Sequence, residues 1–284
     1  MTKLFDQWRH ILWDGAEKLP IILSFGAGVD STAILVEFWK RDIRPDHIVF
    51  ADTGGERPDI YSHIKRVDAW LKKVDFPPVT VVRKRMKDGS IGNLEEECIR
   101  QKTLPSLAFG RKKCSLKFKI GPIDAHLKKL KLGRCVRVIG YGTGELDRAL
   151  SGLESASKRI AETIAKSRKK KGNEEFYWFP LIDWKMDREA CKKSSSAIGF
   201  CTAKSSCFFC PGMRPKEIIK LRDEYPELMK RALAIENGFK PRSTTIGLGR
   251  EWTWQGVLDA HDSQPQFDFG DWKAPAMGCG CTDI

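Results

Sequence analysis

The sequence predicts an α/β fold: a mostly parallel, twisted sheet flanked by helices, with a helical, cysteine-containing C-terminal part. Short apolar runs alternate with amphipathic segments through the N-terminal half, and a glycine-containing turn follows the first apolar run. Strands that alternate with helices favour parallel pairing through right-handed crossovers. We therefore expect an N-terminal α/β domain over residues 1–150 and a helical part over residues 151–284.

The individual elements follow from the spacing of apolar residues and from turn signals. The predicted strands are residues 20–24, 47–51, 78–82, 135–141 and 176–182. The predicted helices are residues 3–18, 31–41, 58–73, 93–102, 115–130, 151–171, 215–224 and 226–238. In such sheets ligands bind beyond the carboxyl ends of the strands. The turns after Leu23, Ala51 and Ile139 are therefore expected to surround one pocket.

Composition and charge narrow the class of protein. Of the 284 residues, 41% are hydrophobic and 31% charged, and no run of eighteen apolar residues or signal-peptide core is present. We expect a cytoplasmic protein without a membrane partner. The net charge of +13 favours anionic partners, above all RNA or DNA. Steering of a small phosphorylated substrate, or solubility alone, would also account for that charge.

The turn after the first strand has the chemistry of a phosphate site. Gly26 and Gly28 allow close backbone approach to a ligand, and Ser24, Ser31 and Thr32 add hydroxyl groups. The N-terminus of the following helix offers unpaired N–H groups and the positive end of its dipole. The alternative is an ordinary strand-to-helix turn.

This turn lacks the Gly-Lys-Ser/Thr of a Walker loop. Residues 26–31, Gly-Ala-Gly-Val-Asp-Ser, instead resemble the pyrophosphate-binding PP-loop, Ser-Gly-Gly-x-Asp-Ser. Gly26 stands where that loop has serine and Ala27 where it has glycine, so Ser24 is the candidate for the missing hydroxyl.

The cysteines suggest a metal site. Nine cysteines in a reducing compartment argue against a disulfide framework. The Cys207-x-x-Cys210 turn places two thiolates where they can hold zinc or an iron–sulfur cluster, and about two further ligands are needed. Cys114, Cys191 and Cys201 are the candidates, and buried apolar cysteines are the alternative.

Several separated motifs occur in one order. They are residues 50–58 (FADTGGERP), 114–123 (CSLKFKIGPI), 140–148 (GYGTGELDR) and the segment from 179 to 211 that ends in CFFCP. With the first turn, they resemble the PP-loop ATP pyrophosphatase superfamily, and more closely its phosphoadenosine phosphosulfate reductase-like branch. That branch includes sulfurtransferases of DNA phosphorothioation and compact phage-encoded proteins. The likeness implies an adenine nucleotide alpha hydrolase-like fold.

The resemblance implies that ATP binds with its pyrophosphate on the loop and that attack on its α-phosphorus releases pyrophosphate. Asp30 is then a candidate ligand of Mg²⁺, and Lys117, Lys119 and Arg148 would neutralise phosphate charge. Helix capping by Asp30 and a solvated face for the lysines are the alternatives. The nucleotide-binding set is Ser24, Gly26, Gly28, Ser31, Thr32, Asp52, Thr53 and Gly54.

The same likeness implies a ligand set for the metal. Reductases of this branch that hold a 4Fe-4S cluster carry a Cys-Cys pair before the lysine element, but here Lys113 precedes Cys114. Our predicted set is therefore Cys114, Cys191, Cys207 and Cys210, with Cys201 in reserve. Four thiolates suit Zn²⁺ as well as an iron–sulfur cluster.

Each of three further segments allows a functional and a structural interpretation. The basic run 166–171 contacts a phosphate backbone or is a solvated loop. Arg250 with Trp252 and Trp254 stacks bases, or these residues form a tryptophan-rich lid on the core. Cys279 and Cys281 receive sulfur, or they are incidental to function.

Three functions remain in view. The first is an ATP-dependent enzyme that adenylates a nucleic acid or nucleotide for sulfur transfer, with a sulfur-donor protein and with oligomerisation open. The second is a sulfonucleotide reductase with a thiol reductant, although the Glu-Cys-Gly-Leu-His tail of such enzymes is absent. The third is a non-catalytic, metal-containing nucleic-acid-binding protein.

Overall fold

A computed structural model of the protein describes residues 19–105, 107, 108, 111–147, 149, 150, 174–201, 205–240 and 245–263. Several predicted features lie outside these residues. They are the helices at 3–18 and 151–171, the basic run 166–171, Arg148, and the cysteines Cys279 and Cys281.

A parallel sheet of five strands forms the centre of the fold, in the order β3-β2-β1-β6-β7. The strands are β1 Ile21–Ser24, β2 His47–Asp52, β3 Val79–Arg83, β4 Leu107–Ala108, β5 Arg111–Lys112, β6 Arg134–Val138 and β7 Glu174–Trp178. Strands β4 and β5 form a separate antiparallel pair. In the large sheet Leu23 lies opposite Ile48 on one side and Val138 on the other. The predicted parallel α/β architecture is confirmed.

Helices follow the strands and fill the C-terminal part. They are α1 Val29–Lys40, α2 Pro58–Lys73, α3 Leu94–Gln101, α4 Lys113–Ser115, α5 Gly121–Leu130, α6 Pro180–Asp183, α7 Arg188–Ser196, α8 Pro215–Glu224, α9 Pro226–Gly238 and α10 Trp254–Ser263. A π-helical segment, Leu116–Ile120, joins α4 to α5. Asn93 caps α3 by accepting the backbone N–H of Glu95 at 2.8 Å, and Asp187 caps α7 in the same way.

The sheet is covered on both faces, as a parallel sheet requires. Successive residues of β1 point to opposite faces. Leu23 packs in one apolar cluster with residues of α1, α2 and α7. Ile22 packs in another with Ile123 and Leu127 of α5. Helix α2 therefore covers the face of the sheet opposite to α5.

A further apolar cluster forms the core of the C-terminal part. It joins α3 to the turn Cys207–Cys210, called the cysteine turn below, and to helices α8, α9 and α10. Trp254 is fully buried in it and Trp252 packs against it, so these two side chains form part of a core and not an open base-stacking platform. The β6–β7 pairing carries the main sheet past residue 150. Residues on both sides of position 150 therefore contribute strands to the main sheet.

No helix within the described ranges is long and apolar enough to cross a membrane.

Candidate functional site

A cleft opens beyond the carboxyl ends of β1 and β6. From β1 the chain proceeds to β2 and β3 on one side, whereas β6 and β7 extend the sheet on the other, so this is the topological switch point. The helical stretch 113–130 forms one wall. The lining residues are Ser24, Phe25, Gly26, Phe50, Ala51, Ser115, Lys119, Ile120, Ile123, Arg137, Ile139, Tyr141 and Tyr177. The cleft is thus mostly apolar, with two cations and two serine hydroxyls.

The first turn has the backbone of an anion cradle. The hydroxyl of Ser31 accepts the N–H of Gly26 at 3.2 Å and donates to the carbonyl of Gly28 at 3.3 Å. Ala27 has φ of 54°, in the left-handed region that favours glycine. Alanine in this conformation costs about 1 kcal/mol of strain. Ser24 and Gly26 both line the cleft, and Ser31 is bonded to Gly26.

Thr32 has a partner in the core. Its side chain is fully buried and its Oγ1 lies 2.9 Å from Nε2 of His63 on α2. Burial lowers the pKa of His63 to about 4, so the imidazole is neutral near pH 7. The Thr32 hydroxyl therefore joins α1 to α2, a role that its place in the motif did not predict.

Asp30, in the first turn of α1, forms an ion pair with Arg188 of α7. Burial raises the pKa of the Asp30 carboxyl, and the charge of Glu145 adds to the rise while Arg188 opposes it. Asp30 is therefore a partly desolvated carboxylate with a second carboxylate nearby.

Cys191 lies beside Asp30 and belongs to the core cluster under α1. It is fully buried, and burial raises the pKa of its thiol to about 12. The other three predicted ligands, Cys114, Cys207 and Cys210, belong to the C-terminal cluster. The structure therefore does not bring Cys191 together with them.

Hydrogen bonds to Asp52 hold the second predicted turn, the one that follows Ala51. The carboxylate of Asp52 accepts the N–H of Gly54 at 2.8 Å, the hydroxyl of Tyr61 at 2.8 Å and Nε of Arg83 at 2.7 Å. Burial raises the pKa of the Tyr61 hydroxyl, and its hydrogen bond to Asp52 adds to the rise. Gly54 has φ of 78°, which explains the glycine there. Asp52 therefore shapes the turn that presents Thr53.

The cysteine turn packs directly on this second turn. Sγ of Cys207 lies 3.1 Å from Oγ1 of Thr53, and the N–H of Phe208 donates to the carbonyl of Gly55 at 2.8 Å. Burial raises the pKa of the Cys207 thiol well above its usual value, with Glu56 as the second cause. The contact between these distant segments was not predicted.

The chain leading into Cys207 also covers the first turn. A side-chain Cβ added at Gly28 would lie 2.8 Å from Oγ of Ser205. Gly28 is therefore needed because Ser205 packs there, and one short segment spans both predicted ligand-binding turns.

Two cations enter the cleft. Lys119 lies 3.5 Å from Glu56, and that carboxylate is the main cause of the raised pKa of the lysine. Arg137 is 4% exposed and donates to Asp124 at 2.7 Å and to Glu175 at 3.1 Å. Sequence reasoning missed Arg137, whose signal is a lone charge within an apolar strand.

Lys117 faces away from this cleft. Its Nζ lies 2.5 Å from Oε1 of Glu97, and it lines a different groove on the other side of the helical stretch. Of the predicted catalytic lysines and arginines that the structure describes, Lys119 alone lines the cleft; Arg148 lies outside the described residues.

A further cysteine accompanies the predicted ligands. Cys98 of α3 lies in the same apolar cluster as Cys114, Cys207 and Cys210. Burial raises the pKa of the Cys98 thiol to about 12, and Cys114 contributes to that rise. In the part of the chain that the structure describes, no three cysteine, histidine or acidic side chains are gathered closely enough to hold a metal ion. The exposed Cys201 lies outside the cluster.

Comparisons with known proteins give distant likenesses. No family model matches the chain. It is 22% identical over 242 residues to the uncharacterized protein MJ0066 of Methanocaldococcus jannaschii, covering 84% of this chain and 45% of that protein. The chain thus spans less than half the length of that relative. The structure resembles the U34-tRNA thiolase NcsA from Methanococcus maripaludis with its [4Fe-4S] cluster, at 15% identity and a TM-score of 0.45, over 99% of this chain and 87% of that one. These values are too low to assign a function.

Proposed function

We propose that the protein is an ATP-dependent PP-loop enzyme that adenylates its substrate and releases pyrophosphate. The observation that supports this most is the cradle of Gly26, Gly28 and Ser31 at the N-terminus of α1, at the switch point of a parallel sheet. Such a position combines backbone N–H groups with the positive end of the helix dipole. It opens into a cleft that also contains Lys119 and Arg137.

We propose a contact in the cleft for the base and for the phosphates of ATP. Its apolar walls, which include Phe50, Tyr141 and Tyr177, suit a purine base. The cradle would hold the β- and γ-phosphates, and Lys119 would neutralise charge near the α-phosphate. A substrate oxygen attacks the α-phosphorus, the bond to the bridging oxygen breaks, and pyrophosphate leaves with the electron pair.

Asp30 is the proposed protein ligand of Mg²⁺, with Glu145 as the second carboxylate near it. Held there, Mg²⁺ would reduce the negative charge of the phosphates. Asp30 would then exchange its ion pair with Arg188 for the cation.

Adenylation activates an oxygen for replacement, and sulfur transfer to a nucleic acid or nucleotide is the proposed use. The net charge of +13 favours an anionic substrate of this kind. The outer sulfur of a donor protein's persulfide attacks the adenylated atom and AMP leaves with the electron pair; a thiol reductant then cleaves the resulting disulfide and frees the thiolated product.

Pyrophosphate release tests the proposal. Full-length protein is incubated with ATP, Mg²⁺ and RNA or DNA, and pyrophosphate and orthophosphate are measured separately. We expect one adenylyl group transferred to the nucleic acid, or one AMP formed by hydrolysis of that adenylate, for each pyrophosphate released. Orthophosphate with ADP, or no turnover with any nucleic acid or nucleotide, would contradict the proposal and favour a binding protein. Sulfite release from a sulfonucleotide would favour a reductase.

We also propose a thiolate metal site at the cysteine turn. The donor chemistry of Cys114, Cys207 and Cys210 suits a 4Fe-4S cluster or Zn²⁺, although these thiols are not gathered around one point. Cys98 is a better candidate than Cys191 for the fourth ligand. It lies in the same apolar cluster as the other three cysteines, and Cys114 contributes to the raised pKa of its thiol. The proposed chemistry at the cleft does not depend on this metal.

Metal analysis of cysteine variants tests the revised set. In protein purified without oxygen, Cys98→Ser is expected to remove most of the bound iron or zinc, since one thiolate of four is lost. Cys191→Ser is the matched control, a buried cysteine in the other cluster, and is expected to retain the metal. Metal content and visible absorption are the measurements. Loss in the control but not in Cys98→Ser would restore the original set.

A further inference from the structure

A second cleft, the basic groove, runs along the outer edge of the sheet. It lies on the other side of the helical stretch 113–130 from the candidate nucleotide cleft. Its polar lining consists of Arg83, Lys84, Arg85, Lys117, Lys129 and His126. Five of these side chains are cationic, and the lining, all of it within the described ranges, contains no aspartate or glutamate.

The cations come from separate elements with fixed backbones. Arg83 ends the edge strand β3, and a hairpin follows it. In this hairpin the N–H of Gly92 donates to the carbonyl of Lys84 at 2.8 Å, and Arg85 pairs with Ile91. The opposite wall is formed by α5, which carries Lys129. The cations of the strand and the hairpin therefore line one side of the groove, and those of the helix line the other.

Neighbouring carboxylates neutralise only part of this charge. Glu97 is shared between Lys84 at 2.7 Å and Lys117 at 2.5 Å, and Asp52 forms an ion pair with Arg83. Among the side chains described, no carboxylate forms an ion pair with Arg85 or Lys129. The guanidinium of Arg85 donates to the carbonyl of Gly89 at 3.4 Å. The groove therefore keeps an excess of positive charge.

Cations on an edge strand also prevent pairing with other chains. That role would account for Arg83 and Arg85, but it does not account for Lys129 on the facing helix. The groove also exposes apolar side chains, with Val81 51% and Ile91 54% accessible. Cations along two walls with exposed apolar groups between them suit a charged polymer better than a compact anion.

We propose that the basic groove binds the phosphodiester backbone of a nucleic acid. The inference extends the proposed function, because a bound backbone would select a polymeric substrate for the adenylating site. The two clefts share one wall: Lys117 lines the groove, and Lys119, two residues later, lines the nucleotide cleft. Phosphate contacts of this kind fix position and carry no sequence information.

Binding of fluorescent oligonucleotides by the full-length protein, without ATP, tests the proposal. The probes are single-stranded RNA, duplex RNA and duplex DNA, each titrated at several salt concentrations. The variant is Arg85→Gln with Lys129→Gln, which removes two charges outside the proposed catalytic set. The control is Lys65→Gln with Lys72→Gln, which removes two exposed charges from α2 on the opposite face of the sheet.

We expect the groove variant to bind about tenfold more weakly at ~0.1 M salt, and the slope of log K against log salt to fall by about 2, one for each lost phosphate contact. The control should bind as the wild type does. The tightest probe identifies the source of the backbone as RNA or DNA, and either supports the proposal.

Three outcomes would overturn it: unchanged affinity and slope in the groove variant, equal weakening in the control, or polyglutamate binding as tightly as the oligonucleotides with the same dependence on Arg85 and Lys129. The last outcome would indicate an acidic protein partner. Because no ATP is present, this test is independent of pyrophosphate release. Intact groove binding without any release of pyrophosphate would reject only the proposed chemistry.

Discussion

Replacement of Arg137 by methionine is expected to lower the free energy of unfolding by about 3 kcal/mol. The guanidinium is buried between Asp124 and Glu175, and its loss would leave two carboxylates without their shared cation. Breaking a buried pair by removing one partner costs about 3–5 kcal/mol. The lower end applies because the carboxylate side chains are 32% and 20% exposed and can regain water.

Urea-induced unfolding of wild type and variant would measure this loss. Arg134→Met on the same strand is the matched control, because Arg134 is exposed and its guanidinium lies 5.3 Å from the ring centroid of Phe176. A loss of at most about 1 kcal/mol is expected there, the size of an exposed cation–π contact. A similar value for Arg137→Met would mean that its ion pairs contribute no net stability.

The Arg137 variant also tests the proposed nucleotide site. The side chain of Arg137 lines the cleft, and its Nε lies 3.4 Å from Oγ of Ser24. At a temperature where the protein is fully folded, we expect ATP to bind about tenfold more weakly, the effect of losing roughly 1.4 kcal/mol. Isothermal titration would measure it. Unchanged affinity would place the phosphates away from Arg137.

The Asp30→Ala variant is expected to release pyrophosphate about 10²–10³-fold more slowly than the wild type. Removal of one group that stabilises transition-state charge has an effect of this size. The loss should be accompanied by a higher Mg²⁺ requirement, because the proposed ligand is gone. Initial rates across a Mg²⁺ series, with pyrophosphate as the product, are the measurement.

Arg188→Gln distinguishes metal binding from a structural ion pair. If Asp30 serves only to pair with Arg188, this variant should lose activity to the same extent. If Asp30 binds Mg²⁺, the variant should stay within about threefold of the wild-type rate, since the ligand remains available. Glu189→Gln removes an exposed carboxylate from the adjacent position and is the control.

Much of the architecture could be predicted because it depends on local patterns. Helices α2, α8 and α9 have the predicted bounds, each beginning at a proline in the first helical position. The alternation of helices with apolar runs in the N-terminal half predicted the parallel sheet, and the sheet placed the turns after β1 and β2 on one edge. The tight turn at Gly26 and Gly28 is a local feature of the same kind, and the hydroxyl of Ser31 holds it.

The side-chain contacts of the site residues could not be predicted, because each contact joins segments that are far apart in the chain. Thr32 bonds His63 across two helices, and Cys191 lies beside Asp30, away from the cysteine turn. A sequence motif gives the spacing of residues along the chain but not the face on which a distant element packs.

The amino-acid sequence by itself determined the strands, the glycine-containing turns and the basic character of this protein, since these depend on composition and short-range periodicity. Only the tertiary structure decided that Lys119 and Arg137 enter the cleft beyond the carboxyl ends of β1 and β6 while Lys117 faces the basic groove. The physical reason is helix geometry: positions two apart point in different directions, and the packing of α5 on the sheet determines which of them meets the cleft.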